Sequence, residues 1–232
     1  MRNALCCIGV FAVAGFLFGQ GGGGIQGVIS DETGQLLAGA YVIASPVKPG
    51  TTLMAVSASG GAYSIAPVPA GNYTICVQFR GSVSQPAGAF ATLPVNYVDS
   101  CYWSTPTQVT VVAGQVAANV NVRMAKGAVV HVRLNDPGKH MANGGGAVLA
   151  GVIGASSRWH PLHVVSSDGS GRTLELAIPL NTALQLEVNG GSLQLADEGG
   201  VPLPAVSNSY SILQAAGQKD PTLTFNITGK RP

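Results

Sequence analysis

Short runs of alternating apolar and polar residues, each closed by Gly, Asn, Asp or Pro, recur along nearly the whole chain. Tyr73, Ile75, Val77 and Phe79 fall on one side of such a run and Thr74, Cys76 and Gln78 on the other, the period-two pattern of a strand with one buried face. Val116, Val120, Val122 and Met124 are expected to face inward in the same way, with Gln115, Asn119, Asn121 and Arg123 outward. Further on, Val130, Val132 and Leu134 alternate with His131 and Arg133. Leu174, Leu176 and Ile178 alternate with Glu175 and Ala177, Leu184, Leu186 and Val188 with Gln185 and Glu187, and Leu223, Phe225 and Ile227 with Thr224 and Asn226. No helical periodicity longer than a turn or two interrupts them. The pattern predicts an all-β protein of half-solvated antiparallel strands packed as sandwiches.

The second half repeats the plan of the first. Val112-Ala113-Gly114-Gln115 precedes one alternating run and Ala215-Ala216-Gly217-Gln218 another, 103 residues later. Ser59-Gly60-Gly61 has a counterpart in Asp168-Gly169-Ser170-Gly171, 109 residues on. Such self-similarity points to two related sandwiches in tandem. The expected boundary is Lys126-Gly127, giving domains at 20–126 and 127–232; the competing reading is one larger, irregular β-domain.

Three turns in the first half carry a resemblance. An early strand ends in Asp31-Glu32-Thr33-Gly34, and Leu37-Ala38-Gly39-Ala40-Tyr41-Val42 follows. Gly61-Ala62-Tyr63-Ser64-Ile65 and Pro69-Ala70-Gly71-Asn72-Tyr73 complete the order. Over roughly Gly24 to Lys126 this resembles the carboxypeptidase regulatory-like domain. The resemblance implies a transthyretin-like (prealbumin-like), Ig-like β-sandwich of the kind that also underlies several carbohydrate-binding modules, and it implies no catalysis.

Compartment is read from the start of the chain. Met1-Arg2-Asn3 carries one positive charge and Ala4 to Phe18 is apolar, a length suited to a secretory leader and short for a membrane span. Residues 1–19 are therefore expected to be a signal peptide, with Gly21 to Gly24 a flexible lead-in to the first strand. The expected location is secreted, periplasmic or cell-surface. Only 9% of residues are charged, and the formal net charge is +2, one unit of it from Arg2. Nucleic-acid binding, which needs clustered Lys and Arg, is not expected. Nor does a second apolar run of spanning length follow the leader.

Two of the four cysteines lie in the leader, leaving Cys76 and Cys101. An even pair in an exported chain favours a disulfide. Cys76 falls on the outward face of its strand, whereas Cys101 falls in the long stretch from Arg80 to Thr107. A bond between them would pin that stretch onto the sheet and, on a chain-entropy basis, stabilise by about 3.5 kcal/mol.

The same stretch concentrates Phe90, Tyr97, Tyr102 and Trp103. An exposed strip of Tyr97, Tyr102 and Trp103 would stack on sugar rings; the competing reading has Trp103 packed over the disulfide. Trp159, in Arg158-Trp159-His160-Pro161, offers the same two readings, platform or strand-edge residue. His160 and His163, three apart, have no acidic or cysteine neighbour in sequence, and with His131 and His140 they are expected to be polar surface residues rather than metal ligands. Asp168-Gly169-Ser170-Gly171 has too few carboxylates for calcium. No His-x-x-Glu, His-Glu-x-x-His or Gly-x-Ser-x-Gly occurs, and Glu175 and Glu187 are the one carboxylate pair that the strand faces suggest. Neither an enzyme nor a cofactor is expected. Two function classes remain: a binding module for a polysaccharide or another cell-envelope ligand, and a scaffold that contacts envelope proteins.

Overall fold

The structure, a computed structural model, describes residues 22–78, 96–142, 147–155, 157–205 and 208–231. The leader, Phe79 and Phe90 lie outside them. The described residues form an all-β protein of β-sandwiches.

In the first half, β1 (Gly22–Asp31), β2 (Tyr41–Pro46), β3 (Leu53–Val56), β4 (Ala62–Pro69) and β5 (Gly71–Gln78) precede one helical turn, α1 (Ser100–Trp103). Then come β6 (Thr107–Val111), β7 (Val116–Ala117) and β8 (Val122–Met124). One sheet runs β4-β1-β7 with β8 also on β1, and the other runs β3-β2-β5-β6. Ile25, Ile29, Ile65, Val42, Ile75, Val77 and Met124 fill the space between them, so the alternation expected for β5 is met where it is described.

The second half comprises β9 (Ala128–Asn135), β10 (Leu149–Ile153), β11 (Trp159–Pro161), β12 (His163–Asp168) and β13 (Gly171–Ile178). It continues through β14 (Ala183–Asn189), β15 (Leu193–Ala196), β16 (Asn208–Leu213) and β17 (Thr222–Lys230). Its sheets run β12-β13-β9-β17-β15 and β11-β10-β14-β16, around Val130, Val132, Leu134, Leu176, Leu186, Leu195 and Phe225. The pairings of the first half recur: β13-β9-β17 matches β4-β1-β8, and β11-β10-β14-β16 matches β3-β2-β5-β6. Strands β12 and β15 are additions at the edges.

The turns repeat as well. Gly114 and Gly217 both take positive φ, 71° and 79°, a conformation that glycine adopts without the Cβ penalty. Each precedes the strand that joins the first strand of its own half in parallel: β1 with β7 and β8, β9 with β17. Those pairs are the exceptions to an otherwise antiparallel plan. The carboxylate of Asp31 accepts from the backbone N–H groups of Thr33 and Gln35, and that of Asp136, 105 residues on, from those of His140 and Met141. Both aspartates are buried. Each closes the turn that leaves its first strand.

Two local expectations are corrected. Gly22 to Gly24 belong to β1 rather than to a flexible lead-in. A Cβ on Gly23 would stand 2.6 Å from the Gln115 carbonyl oxygen and the Val111 side chain, so the glycines let β1 pass under its neighbours. Val116 is exposed, because the expected single strand breaks between β7 and β8, where Asn119 takes φ 59°. The break changes which side faces the core, and Val120 returns inward.

The halves touch through α1, whose Trp103 packs against the second core. Residues 20–126 alone should melt cooperatively in β-type circular dichroism. Residues 127–232, deprived of Trp103, should melt at a lower temperature than the same sandwich in the full chain. Failure of both fragments to melt cooperatively would contradict a boundary at Lys126-Gly127.

Candidate functional site

Helix α1 is too short to stand alone, since a single turn fixes several dihedrals for one hydrogen bond. Its neighbours hold it. Asp99 caps it, its carboxylate accepting from the Cys101 N–H at 2.8 Å, and burial pushes the Asp99 carboxyl up to about 7. The Ser100 hydroxyl accepts from the Val77 N–H at 2.6 Å and donates to the Val77 carbonyl. Cys101 is bonded to Cys76, with Cα atoms 4.9 Å apart. The stretch from 96 to 106 is thus tied to the outer face of β5.

Its aromatic rings do not form an exposed strip. Tyr97 is buried, and its hydroxyl donates to Asp31 Oδ2 at 3.2 Å. Lys126 Nζ lies 3.4 Å from the same carboxylate and 5.7 Å from the Tyr97 ring centroid. The Thr33 hydroxyl above all, with the surrounding backbone N–H groups and Lys126, holds the Asp31 carboxyl well below the ordinary carboxylate range. Tyr97 is therefore part of the core of the first sandwich. Tyr102 and Trp103 instead place their rings 4.7 and 4.5 Å from the imidazole of His160 in β11, and Gly154 lies against the Trp103 ring.

His160 departs furthest from expectation. It is 1% exposed rather than a surface residue, and burial pushes its pKa down, with Arg158 adding to the effect. His163 belongs to β12 in the opposite sheet. Among the described residues no group of three or more His, Cys, Asp or Glu could hold a metal ion. His131 lies 3.1 Å from Glu175 Oε1 and is half-buried. Glu175 and Glu187 sit in different sheets of the sandwich, so the suggested carboxylate pair does not form.

The arrangement best suited to a ligand lies on the outer face of β11-β10-β14-β16. Because His160 points inward opposite buried Val152, its neighbour Trp159 points outward. The indole lies over Gly151 of β10: a Cβ there would stand 2.1 Å from its Cε2. A glycine is what lets the ring lie down, and Trp159 stays 39% exposed. The same glycine pairs with Glu187 of β14, and Glu187 with Ser209 of β16. In the adjacent row, Ile153 pairs with Gln185 and Gln185 with Ser211. The Gln185 amide donates to the Ser211 hydroxyl at 3.0 Å and its carbonyl accepts from the Ser209 hydroxyl at 3.2 Å, so the amide is pre-oriented. Two inter-strand spacings, β10 to β14 to β16, carry the surface about 10 Å from the indole to the serines.

In the sequence Trp159 carries two readings, platform or strand-edge residue, and Glu187 stands out only as half of a carboxylate pair; Gln185, Ser209 and Ser211 are not marked as companions of the indole. The available signal was Gly151 inside the apolar run of β10, an interruption that marks close approach of another group.

Residues 24–125 match the carboxypeptidase regulatory-like domain family. No curated protein matches the chain. Solved structures overlay on it with low scores. The TIE protein of Bacillus anthracis is 11% identical, over 90% of this chain and 34% of its own, with a TM-score of 0.36. A streptococcal ancillary pilin is 14% identical, over 90% and 62%, with a TM-score of 0.37. A candidate carbohydrate binding protein of Bacteroides uniformis is 13% identical, over 83% and 100%, with a TM-score of 0.30. This chain spans less than two thirds of the first two.

The two tryptophans should differ in stability experiments. Trp103→Ala removes a ring packed on the second core and should cost about 3 kcal/mol, whereas Trp159→Ala should cost about 1 kcal/mol or less. Urea midpoints of the two variants check the order; equal losses would contradict it.

Proposed function

We propose that this chain, which carries a carboxypeptidase regulatory-like domain at residues 24–125, is a non-catalytic, exported binding module whose ligand is a polysaccharide laid across β11-β10-β14-β16. Export is supported by the apolar run from Ala4 to Phe18 and by the Cys76–Cys101 bond. No helix among the described residues is long and apolar enough to cross a membrane.

One observation carries the reading: an exposed indole lies flat on Gly151, beside a row of amide, carboxylate and hydroxyl groups. The C–H face of a sugar ring packs on the face of an aromatic ring, whose negative quadrupole favours the slightly positive C–H hydrogens. Its hydroxyls, both donors and acceptors, match Gln185, Glu187, Ser209 and Ser211. The surface is open and shallow, which suits a chain passing over it better than a small molecule enclosed in it. With the far row of hydroxyls two inter-strand spacings, about 10 Å, from the indole, it fits a short oligosaccharide segment rather than one ring.

Exposed Leu149 and Leu213 lie on the same two-dimensional face, at 57% and 67%. They favour a second reading, in which this face docks onto an envelope protein. Gel electrophoresis through a soluble glucan, mannan, xylan or galacturonan separates the two. The binding reading predicts retardation in at least one of these polysaccharides, lost in Trp159→Ala and kept in Trp103→Phe. No retardation in any gel, or retardation undiminished in Trp159→Ala, would move the assignment to the scaffold.

A further inference from the structure

We infer that α1, with Cys76, Cys101, Trp103 and His160, is a positioning device for Trp159: the first sandwich holds the ligand-facing indole of the second in place. This rests on the reading of the Trp159 face as the ligand site.

Strand β11 has little to hold it. It is three residues long and pairs on one side with β10, at Gly151, Val152 and Ile153. So short an edge strand has few backbone hydrogen bonds and belongs to the low-stability end of a fold. Yet its middle residue, His160, is 1% exposed. The rings that stack on it, Tyr102 and Trp103, come from α1. Neither His160 nitrogen nor Trp103 Nε1 has a hydrogen-bond partner among the described residues. What holds the imidazole is therefore ring packing, which falls off steeply when the rings separate.

α1 has no stability of its own, and its position comes from the Cys76–Cys101 bond and the paired Ser100 and Val77 hydrogen bonds. A continuous set of contacts thus runs from β5 through α1 to His160. Adjacent residues of a strand point to opposite faces, so a β11 that turns about its axis to release His160 also lifts Trp159 from Gly151. Trp103 and His160 act on the ligand through Trp159 and touch none of it themselves.

Hydrogen exchange in the full chain, without ligand, tests this separately from sugar binding. Tris(2-carboxyethyl)phosphine breaks the S–S bond to two thiols and is itself oxidised to the phosphine oxide, water supplying oxygen and protons. In the reduced protein, peptides covering 157–163 should exchange at least about tenfold faster, while 171–178 keeps its rate. In Trp103→Phe, where Trp159 is the sole tryptophan, reduction should also increase quenching of its fluorescence by iodide. The Cys76→Ser/Cys101→Ser double variant should reproduce the reduced state, and Trp103→Phe with the disulfide intact should keep 157–163 protected. Unchanged exchange at 157–163 on reduction would overturn the inference, and so would a parallel rise at 171–178, which marks general loosening. Absence of polysaccharide retardation with these exchange changes present would count against the sugar reading alone.

Discussion

A disulfide on the outer face of β5 holds one turn of helix, and that turn covers a histidine at the open edge of the next sandwich. The rest follows from the strand's alternation. If His160 is buried under Tyr102 and Trp103, Trp159 must face out, and Gly151 gives it a floor. The aromatic residues that look most like a ligand platform in the sequence are the ones that do the burying.

The fold was legible because the strands are amphipathic. Positions such as Ile75, Val132 and Leu186 are buried as their alternation requires, and the turn glycines Gly114 and Gly217 occupy equivalent places. Where the reading failed, a glycine or a positive φ intervened. Asn119 splits one alternating run and turns Val116 outward, and the glycines that read as a flexible lead-in let β1 run under close neighbours.

The site was legible only in part. The Cys76–Cys101 pairing follows from two cysteines and the expectation of export, and the structure contains it. What Tyr97, Tyr102 and Trp103 face depends on contacts far along the chain: Asp31 for the first, His160 for the others. Period-two reasoning gives the face of a residue on its own strand and is silent on which element covers that face. His160 shows this well, since a polar residue beside a proline gives no sign that two aromatic rings from the other half will bury it. The row of Gln185, Glu187, Ser209 and Ser211 needs the strand order and register, which a sequence pattern does not contain.

The central claim is that the two tryptophans have different tasks, Trp159 toward ligand and Trp103 toward the fold. With two tryptophans in the chain, an indole-¹⁵N NMR spectrum has two side-chain resonances, assignable with Trp103→Phe. On titration with oligosaccharides cut from whichever polysaccharide retards the protein, the account predicts that the Trp159 indole resonance moves and the Trp103 resonance stays. Movement of the Trp103 resonance alone would contradict it.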